Sequence, residues 1–513
     1  TPLPQGCIKA PMTKSQMNDS PDCSTGMREL VPAVSLAAGA VFAGAPWHRG
    51  LEPAVITVSG AGQSVWSYAQ LAEQSAALAA RLRAQGLQPG HLVAVPERPG
   101  THLILMLHAL AQCDAALLPI RAAADDPAGD ALLAGTGAEW VWRAAGTDGL
   151  NGGRLVRLAL PPVRVTPGAV PGSARWSSPL ALVVETSGSS GAPRAAMLTQ
   201  GTVLAAAALS NRHLDLHGGD TWLCCLPLRH IGGLSILYRC ARAGAAVVLH
   251  DGFDAGTVAA AIASRAVTHL SLVPPMLARL LALGRPPPVT VRVVLVGGQS
   301  LSPPLARQAI AAGWPLHMTY GMTETAAQLA TSERLVQAPA SGIIGQPLAG
   351  VELDCPACAD GSGRLRVRGP VVMAGYANPQ RIPGVGLADG WFTTSDLACR
   401  GPDGALHILG RADEVLVTGG VNVHPGRVES MLAEAPGVSE AAVVGVADPV
   451  WGQRLVALYR GEATPAALDA WCRVRLSGAE RPRLFLPLPE LPVLASGKLD
   501  RCGLRALAQA AAG

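Results

Sequence analysis

The chain has 513 residues, of which 49% are hydrophobic and 15% are charged, and its formal net charge is +4. This length predicts about two or three globular units. The charges are spread along the chain without a basic block or interleaved aromatic and basic residues, which argues against nucleic acid as the main partner. No uninterrupted apolar run is long enough to predict a membrane span.

The N-terminal segment lacks a core pattern. Residues 1–29 are rich in Ser, Asp, Pro and Met, and we predict a disordered tail there. Residues 30–45, LVPAVSLAAGAVFAGA, are apolar and end in small residues. This stretch fits either the hydrophobic part of a signal peptide or a first helix packed on the domain. Glu29 and the lack of a basic cluster before it favour the helix.

The eleven cysteines show no framework spacing. Cys355 and Cys358 form a CxxC pair, but the sequence offers no second pair and no nearby histidines to complete a zinc site. We therefore expect free thiols and a cytoplasmic location, where the environment is reducing.

From residue 66 onward, apolar stretches of helical period alternate with short runs rich in Val and Leu. This pattern is typical of parallel sheets covered by helices. It predicts a helix over 68–86, strands over 92–95 and 291–296, and a helix from Pro303 to about residue 313. The fold class is therefore α/β, with a large N-terminal domain of helix-covered sheets over residues 30–410.

The pattern changes near residue 410, where a small α+β unit begins. A helix is predicted with Pro425 near its first turn and with Val428 and Leu432 on one face, followed by a strand over 441–446. The unit would span residues 411–513, about 100 residues, which is a reasonable size for an independently folding and mobile C-terminal domain.

Residues 182–194, LVVETSGSSGAPR, combine a strand with a loop of small residues. Glycines in such a loop expose backbone N–H groups, and the hydroxyls can bond phosphate oxygens. The loop lacks the GK[ST] ending of P-loop nucleotidases. Taken alone, the segment fits a phosphate-binding loop or a flexible linker.

Lysine occurs three times, and two of these residues, Lys9 and Lys14, lie in the N-terminal tail. The predicted folded body therefore contains only Lys498, which follows the flexible Gly497. A compact ammonium can lie between two anionic oxygens where the wide fork of arginine fits poorly. The alternative is a solvent-exposed loop lysine in an arginine-rich composition.

Five segments occur in an order that resembles the signatures of the acyl-adenylate-forming superfamily, which includes acyl-CoA and aryl-CoA ligases, peptide-synthetase adenylation domains and luciferases. They are TSGSSGAPR at 186–194, YGMTET at 320–325, WFTTSD at 391–396, GRADEVLVTGGVN at 410–422 and PVLASGKLDR at 492–501. The resemblance covers residues from about 30 to the C-terminus, and five ordered motifs are far more specific than any one of them.

The resemblance implies a two-step reaction. A carboxylate attacks the α-phosphate of ATP, pyrophosphate leaves, and a thiol then attacks the acyl-adenylate. The expected cofactors are ATP, Mg²⁺ and coenzyme A as co-substrate, and the expected partner is a small carboxylic acid. The oligomeric state stays open, with a homodimer among the alternatives.

The resemblance also assigns roles to matched residues. Those that would contact ATP are Thr186, Ser187, Gly188, Ser189, Ser190, Gly191, Arg194, Gly298, Tyr320, Gly321, Asp396 and Arg411. Those that would act in catalysis are Lys498, Thr323, Glu324 and His230, and Glu324 would also bind Mg²⁺. Those that would form the acid pocket are His230, Arg239 and Gly321. Asp413 would be the hinge of the small domain, and Gly419 and Gly420 would lie on the coenzyme A path.

Two residues depart from the superfamily pattern. Arg194 stands where a lysine is usual, which keeps the charge and changes its reach, and Ser395 stands where a glycine precedes the aspartate.

The segment LPLRHIGGLS at 226–235 bears on the acid. Amino-acid-activating members usually have an acidic residue here that pairs with the α-ammonium, and its absence implies an acid without an amino group. The segment resembles most the o-succinylbenzoate:CoA ligases of menaquinone biosynthesis, in which case Arg239 could pair with a second carboxylate. A surface arginine beside the pocket is the alternative. An aryl-CoA ligase for benzoate-like or anthranilate-like acids, and an adenylation enzyme that loads a carrier protein, also remain open.

If Lys498 serves adenylation alone, Lys498→Ala should lower adenylate formation by about 100-fold or more, since a charge-stabilising group is lost. Conversion of supplied acyl-adenylate to thioester should continue at the wild-type rate, as should both half-reactions in the control Lys14→Ala. Single-turnover assays of each half-reaction measure this, and an equal fall in both halves would contradict the assigned role.

Overall fold

The computed structural model describes residues 52–59, 62–97, 100–121, 127–143, 153–158, 178–186, 194–340, 342–378, 381–493 and 499–512. The predictions for the tail 1–29, for the apolar segment 30–45, for Ser187, Gly188, Ser189, Ser190 and Gly191 of the small-residue loop, and for Lys498 lie outside these residues.

The described strands and helices alternate along most of the chain. The strands are β1 (Pro53–Ser59), β2 (Gly62–Ser67), β3 (Leu92–Pro96), β4 (Ala116–Ile120), β5 (Trp140–Arg143), β6 (Arg154–Arg157), β7 (Leu180–Thr186), β8 (Arg194–Thr199), β9 (Thr221–Cys224), β10 (Ala246–His250), β11 (His269–Leu272), β12 (Val293–Val296), β13 (Leu316–Tyr320), β14 (Ala330–Thr331), β15 (Ile343–Pro347), β16 (Glu352–Asp354), β17 (Gly363–Arg368), β18 (Leu387–Ala388), β19 (Trp391–Arg400), β20 (Leu406–Arg411), β21 (Leu416–Thr418), β22 (Val421–Val423), β23 (Val438–Asp448), β24 (Gly452–Gly461) and β25 (Leu484–Pro487). The helices are α1 (Tyr68–Ala84), α2 (His102–Gln112), α3 (Pro127–Thr136), α4 (Gln200–Leu214), α5 (Ile231–Ala243), α6 (Ala255–Ser264), α7 (Pro274–Leu281), α8 (Pro303–Ala311), α9 (Pro425–Ala433), α10 (Pro465–Arg475) and α11 (Arg501–Ala512).

The described strands form three sheets. The largest has the order β16-β17-β19-β20-β15-β14-β13-β12-β11-β9-β10-β1-β2, with β18 paired to β19. Its strands from β13 to β1 in this order are parallel, and its other pairs are antiparallel. The second sheet has the order β6-β5-β3-β4-β7-β8 and is parallel in its centre. The predicted α/β class, with a large N-terminal part of helix-covered sheets, is confirmed.

Local signals explain the element boundaries. Helix α1 begins after a reciprocal cap in which Ser67 Oγ accepts from the Gln70 backbone N–H, while Gln70 Oε1 accepts from the Ser67 N–H. The helix ends at Ala84, and Gly86 then adopts a φ of +94°, which glycine tolerates without steric cost. The predicted helix over 68–86 is thus confirmed to within two residues.

The third sheet has the order β22-β21-β24-β23, with β25 paired to β24, and it packs around its own apolar cluster. Pro425 is the first residue of α9, and Val428 and Leu432 are fully buried, as predicted. The smaller C-terminal α+β part is therefore confirmed. All described residues belong to one compact unit, so the boundary between residues 410 and 411 stays a prediction.

Two predictions about cysteine are wrong. Cys358 and Cys399 are joined by a disulfide, so the expectation of free thiols fails for this pair. His407 lies beside the two sulfur atoms, so the CxxC pair does have a histidine nearby in space. The remaining described cysteines are thiols, namely Cys113, Cys224, Cys225, Cys240, Cys355, Cys472 and Cys502.

None of the helices within the described ranges combines the length and apolar character that a membrane span requires.

Candidate active site

The small-residue loop is framed by the paired strands β7 and β8. Thr186, the last residue of β7, lies opposite Arg194, the first residue of β8. The Thr186 hydroxyl donates a 3.4 Å hydrogen bond to the Arg194 carbonyl oxygen. Arg194 itself is exposed. These two residues hold the ends of the loop in register, and the loop glycines and serines lie outside the described residues.

A tight turn after β13 carries the second group of predicted residues. Thr323 and Glu324 belong to a 3₁₀ turn that contacts both β7 and β8. Gly321 precedes it, and a Cβ there would lie 1.6 Å from the carbonyl oxygen of Ala327. Only glycine fits this approach, because no side chain can share that space. The turn therefore brings Glu324 next to the end of the small-residue loop.

Glu324 is held by a tyrosine that the sequence analysis missed. Tyr376 donates a 2.8 Å hydrogen bond from its hydroxyl to Glu324 Oε1, and the Arg194 guanidinium lies 5.5 Å from the centroid of its ring. Burial, together with the Glu324 carboxylate, raises the pKa of the Tyr376 phenol. The hydroxyl therefore remains a donor at neutral pH and orients a carboxylate that has the oxygen chemistry Mg²⁺ prefers.

Asp396 is held in the same way. The Tyr320 hydroxyl donates a hydrogen bond to Asp396 Oδ2, and the Asp396 backbone N–H donates to Thr394 Oγ1 at 3.0 Å. Burial, and then the Asp396 carboxylate, raises the pKa of Tyr320, and Glu324 lies close enough to add to this effect. Asp396 and Glu324 therefore belong to one cluster that links the two large sheets.

Tyrosine scarcity was the sequence signal that could have revealed this pair. The chain contains five tyrosines, and two of them hold the site carboxylates. Tyr376 reaches Glu324 because the segment around it adds to the edge of β8, with the Met197 N–H donating to the Gly375 carbonyl at 2.9 Å. No motif in the sequence predicted that edge pairing.

Arg411 lies directly opposite Asp396 in the β19–β20 register. Its guanidinium makes two 2.8 Å hydrogen bonds to the two carboxylate oxygens of Asp413. Asp413 also stabilises the charged form, so the pKa of Arg411 is raised. The residue predicted to assist Asp396 is thus paired, in this structure, with the residue predicted to be the hinge.

The predicted glycines lie in two turns. Gly298 follows β12, is exposed and has a φ of +78°. Gly419 and Gly420 form the hairpin turn between β21 and β22, with φ values of +56° and +79°, as a type I′ turn requires. A Cβ on Gly419 would also lie 3.0 Å from the Trp451 ring. Turn geometry alone accounts for these last two glycines, and a role on the coenzyme A path stays a prediction.

His230 caps the start of α5 through its backbone and lies half-buried. The residue before it, Arg229, pairs with Glu97 at 2.9 Å. Glu97 follows β3 of the second sheet, and its other oxygen accepts from the Arg229 backbone N–H at 3.2 Å. This ion pair fixes the segment that carries His230. The ion pair also accounts for the arginine at position 229, because the Glu97 carboxylate needs a cation at this position.

Arg239 is only 3% exposed, so the surface alternative for this residue is wrong. Its guanidinium donates a 3.1 Å hydrogen bond to Gln328 Oε1 and lies 5.2 Å from the ring centroid of Trp222. Among the described residues its partners include no carboxylate, and burial lowers the pKa of Arg239 to about 10. Arg239 is therefore charged at neutral pH, and none of the described residues gives it an acidic partner.

Arg239 also lines a small cavity between α4 and α5, together with Val203, Ala206, Ile231 and Ser235. Tyr238 and Ser235 contribute hydroxyl-bearing side chains to the wall, and its other residues besides Arg239 are aliphatic. The cavity has a volume of about 10 Å³, which is room for about one water, so it must widen before a larger anionic molecule can pair with Arg239.

Most of the predicted ATP-contacting residues that the structure describes lie in one region, and they come from both large sheets. The structure joins Thr186, Arg194, Tyr320, Glu324, Tyr376 and Asp396 through direct contacts or shared strands, and places Arg411 beside them. Gly419 and Gly420 belong to the third sheet. A site with an oriented carboxylate, a second carboxylate and an arginine next to a small-residue loop can bind a metal–phosphate group and a polyhydroxylated sugar.

Comparisons with known proteins agree with this geometry. Residues 48–377 match the family model of the AMP-binding enzyme, and residues 427–498 match that of the AMP-binding enzyme C-terminal domain.

Three similar sequences and structures are named for activation of succinylbenzoate with coenzyme A. The 2-succinylbenzoate–CoA ligase of Bacillus cereus (strain ATCC 10987 / NRS 248) is 35% identical over 338 residues, which are 64% of this chain and 70% of that protein. The o-succinylbenzoate CoA synthetase of Bacillus subtilis in complex with its acyl-adenylate intermediate superposes with a TM-score of 0.75 and 27% identity, covering 89% of this chain and 96% of that one. The same synthetase in complex with ATP and magnesium ion also gives 0.75 and 27%, with coverage of 89% and 97%.

The two tyrosines should have separable effects. Tyr376→Phe removes the bond to Glu324 and should raise the Mg²⁺ concentration for half-maximal pyrophosphate release by about tenfold, the effect of losing a hydrogen bond to a charged group. Tyr320→Phe should instead raise KM for ATP by a similar factor, because Asp396 is released. Each variant serves as the control for the other. Equal effects of both on both quantities would contradict the assignment.

Proposed function

The chain belongs to the AMP-binding enzyme family, and we propose that it is the o-succinylbenzoate:CoA ligase of menaquinone biosynthesis. It joins an acid to coenzyme A in an AMP-forming reaction, with ATP and Mg²⁺ as cofactors and coenzyme A as co-substrate. We place it in the cytoplasm, where both ATP and coenzyme A are made.

The observation that carries the substrate assignment is the buried charge of Arg239. A buried cation without a paired anion is costly, and the cation–π contact with Trp222 and the bond to Gln328 offset only part of that cost. A substrate carboxylate would complete the pair with charge-assisted hydrogen bonds. o-Succinylbenzoate has two carboxylates, so one remains for Arg239 after the other is activated.

In the first half-reaction, the residues of this chain position ATP and stabilise charge. Asp396, oriented by Tyr320, accepts hydrogen bonds from the ribose hydroxyls, and the loop from Thr186 to Gly191 donates to the departing phosphates. Glu324, oriented by Tyr376, would hold Mg²⁺, which supplies charge neutralisation at the phosphates. Thr323 contacts the α-phosphate. The role proposed for Lys498 is to bridge the substrate carboxylate and that phosphate.

In the second half-reaction, the small domain over 411–513 turns about Asp413 and withdraws Lys498. The bidentate pair between Arg411 and Asp413 would open or rearrange in this motion, because one partner ends β20 and the other lies in the connecting turn. Gly419 and Gly420 then lie on the path of the coenzyme A thiol. His230 lies at the entrance to the acid pocket.

A second candidate is an aryl-CoA ligase for benzoate-like or anthranilate-like acids. The aliphatic residues beside Arg239 can pack against an aromatic ring in either case once the cavity widens. The buried Arg239 guanidinium distinguishes the two candidate functions, because a simple monocarboxylate has no second carboxylate to pair with it. A third candidate, an adenylation enzyme that loads a carrier protein, differs in the thiol acceptor.

The test is pyrophosphate release measured with o-succinylbenzoate, benzoate and anthranilate, each with ATP and Mg²⁺ and with or without coenzyme A. We expect sustained turnover with o-succinylbenzoate only when coenzyme A is present, and formation of its thioester. Faster turnover with benzoate or anthranilate would select the second candidate. Adenylate formation that coenzyme A does not discharge would select the third.

Arg239→Ala should raise KM for o-succinylbenzoate by about tenfold or more, the loss expected from a charge-assisted hydrogen bond of about 1.5–3 kcal/mol. Activity with an aromatic monocarboxylate should scarcely change. Arg242→Ala, which removes an exposed arginine from the same helix, is the matched control and should leave both values unaltered. Equal loss with both acids in Arg239→Ala would count against the dicarboxylate.

A further inference from the structure

Three side chains outside the nucleotide and acid sites converge on one point. Cys358 begins the 3₁₀ turn Cys358–Asp360, Cys399 lies in β19, and His407 lies in β20. Their sulfur and nitrogen atoms all lie within 4.8 Å of one another. Cys399 and His407 are directly opposite in the strand register, so their side chains share one face of the sheet.

The ligand types and spacing suit a tetrahedral zinc ion. Zn–S bonds of about 2.3 Å and Zn–N bonds of about 2.0–2.1 Å place neighbouring ligand atoms roughly 3.5–3.8 Å apart. Thiolates and imidazole are the ligands that select zinc over magnesium or calcium. The two sulfurs are joined in this structure and must separate before a metal can enter.

The surroundings allow that separation. Cys399 is buried in a strand, whereas Cys358 is half-buried in a short turn and is the side that can move. His407 has no hydrogen bond or ion pair to another described residue that would compete for its ring. Gly401 leaves the ring room, because a Cβ there would lie 3.0 Å from His407 Nε2. Cys358 and His407 are both partly exposed, so solvent can supply a fourth ligand.

We propose that Cys358, Cys399 and His407 form a redox-linked site that binds one zinc ion when the cystine is reduced. A thiol reductant supplies two electrons, the S–S bond breaks, and each sulfur takes up a proton while the reductant becomes a disulfide. Zinc then displaces those two protons as the sulfurs bind as thiolates. A disulfide oxidant reverses the sequence and releases the metal.

The site is distinct from the nucleotide residues, although it shares their strand. Asp396 precedes Cys399 by three residues, which is about 10 Å along a strand. The pair Cys399 and His407 therefore lies one residue from one end of the β19–β20 ladder, and the pair Asp396 and Arg411 lies at the other end.

Metal content of the full chain tests the proposal without depending on turnover. Protein reduced with a phosphine, incubated with Zn²⁺ and desalted should retain about one zinc per chain, and protein oxidised with diamide should retain none at this site. Cys399→Ser and His407→Ala should each lower retention at least tenfold. Cys355→Ser is the matched control, because its thiol is half-buried and only three residues from Cys358 but outside the cluster, and it should retain zinc.

Cobalt provides a measurement on the wild-type chain that no folding defect of a variant can obscure. Reduced protein with Co²⁺ should show thiolate-to-metal charge-transfer absorption that disappears on oxidation and on competition with Zn²⁺. The proposal is overturned if reduced wild type retains no zinc and shows no such absorption. It is also overturned if Cys399→Ser keeps the metal, or if Cys355→Ser loses it equally.

Discussion

The acid pocket depends on one constraint, the burial of the Arg239 guanidinium against Trp222. Helix α5 places this cation inside the protein, where solvent cannot screen it and where no described carboxylate neutralises it. Removing a charge from water costs several kcal/mol even after the protein relaxes. A ligand with a second carboxylate recovers part of that cost and a monocarboxylate does not. In this proposal, substrate choice therefore follows from the burial of the Arg239 charge.

Two tyrosine–carboxylate bonds hold the residues that are proposed to bind ATP and Mg²⁺. Tyr320 ends β13 in the parallel part of the large sheet, and Asp396 lies in its antiparallel part. Tyr376 lies at the edge of the second sheet and holds Glu324. A hydrogen bond to a charged group contributes about 1.5–3 kcal/mol, enough to fix the carboxylate orientation before ATP binds. The ion pair between Glu97 and Arg229 also connects the two large sheets, at the segment that carries His230.

Local signals in the sequence were sufficient for many of the elements and for selecting candidate site residues. Apolar periodicity predicted the start of α1 at Tyr68, the proline at position 425 indicated the first turn of α9, and ordered motifs selected Glu324 and Asp396, which the structure brings into one cluster. Contacts between distant residues were not predictable in the same way. Tyr376 is 52 residues from Glu324, and Arg229 is 132 residues from Glu97, so no periodicity connects them. The disulfide between Cys358 and Cys399 was not predicted for the same reason, because the spacing of cysteines in the sequence does not reveal which strands are paired.

The most direct test of the substrate assignment is a crystal structure of the protein with a stable sulfamate analogue of the o-succinylbenzoyl-adenylate. The buried-charge account predicts that the free carboxylate of the ligand lies in the cavity with its oxygens about 2.7–2.9 Å from the Arg239 guanidinium nitrogens. It also predicts that the ligand ring packs against the apolar wall between α4 and α5. A free carboxylate that points to solvent, with Arg239 still bonded only to Gln328 and stacked on Trp222, would contradict the account.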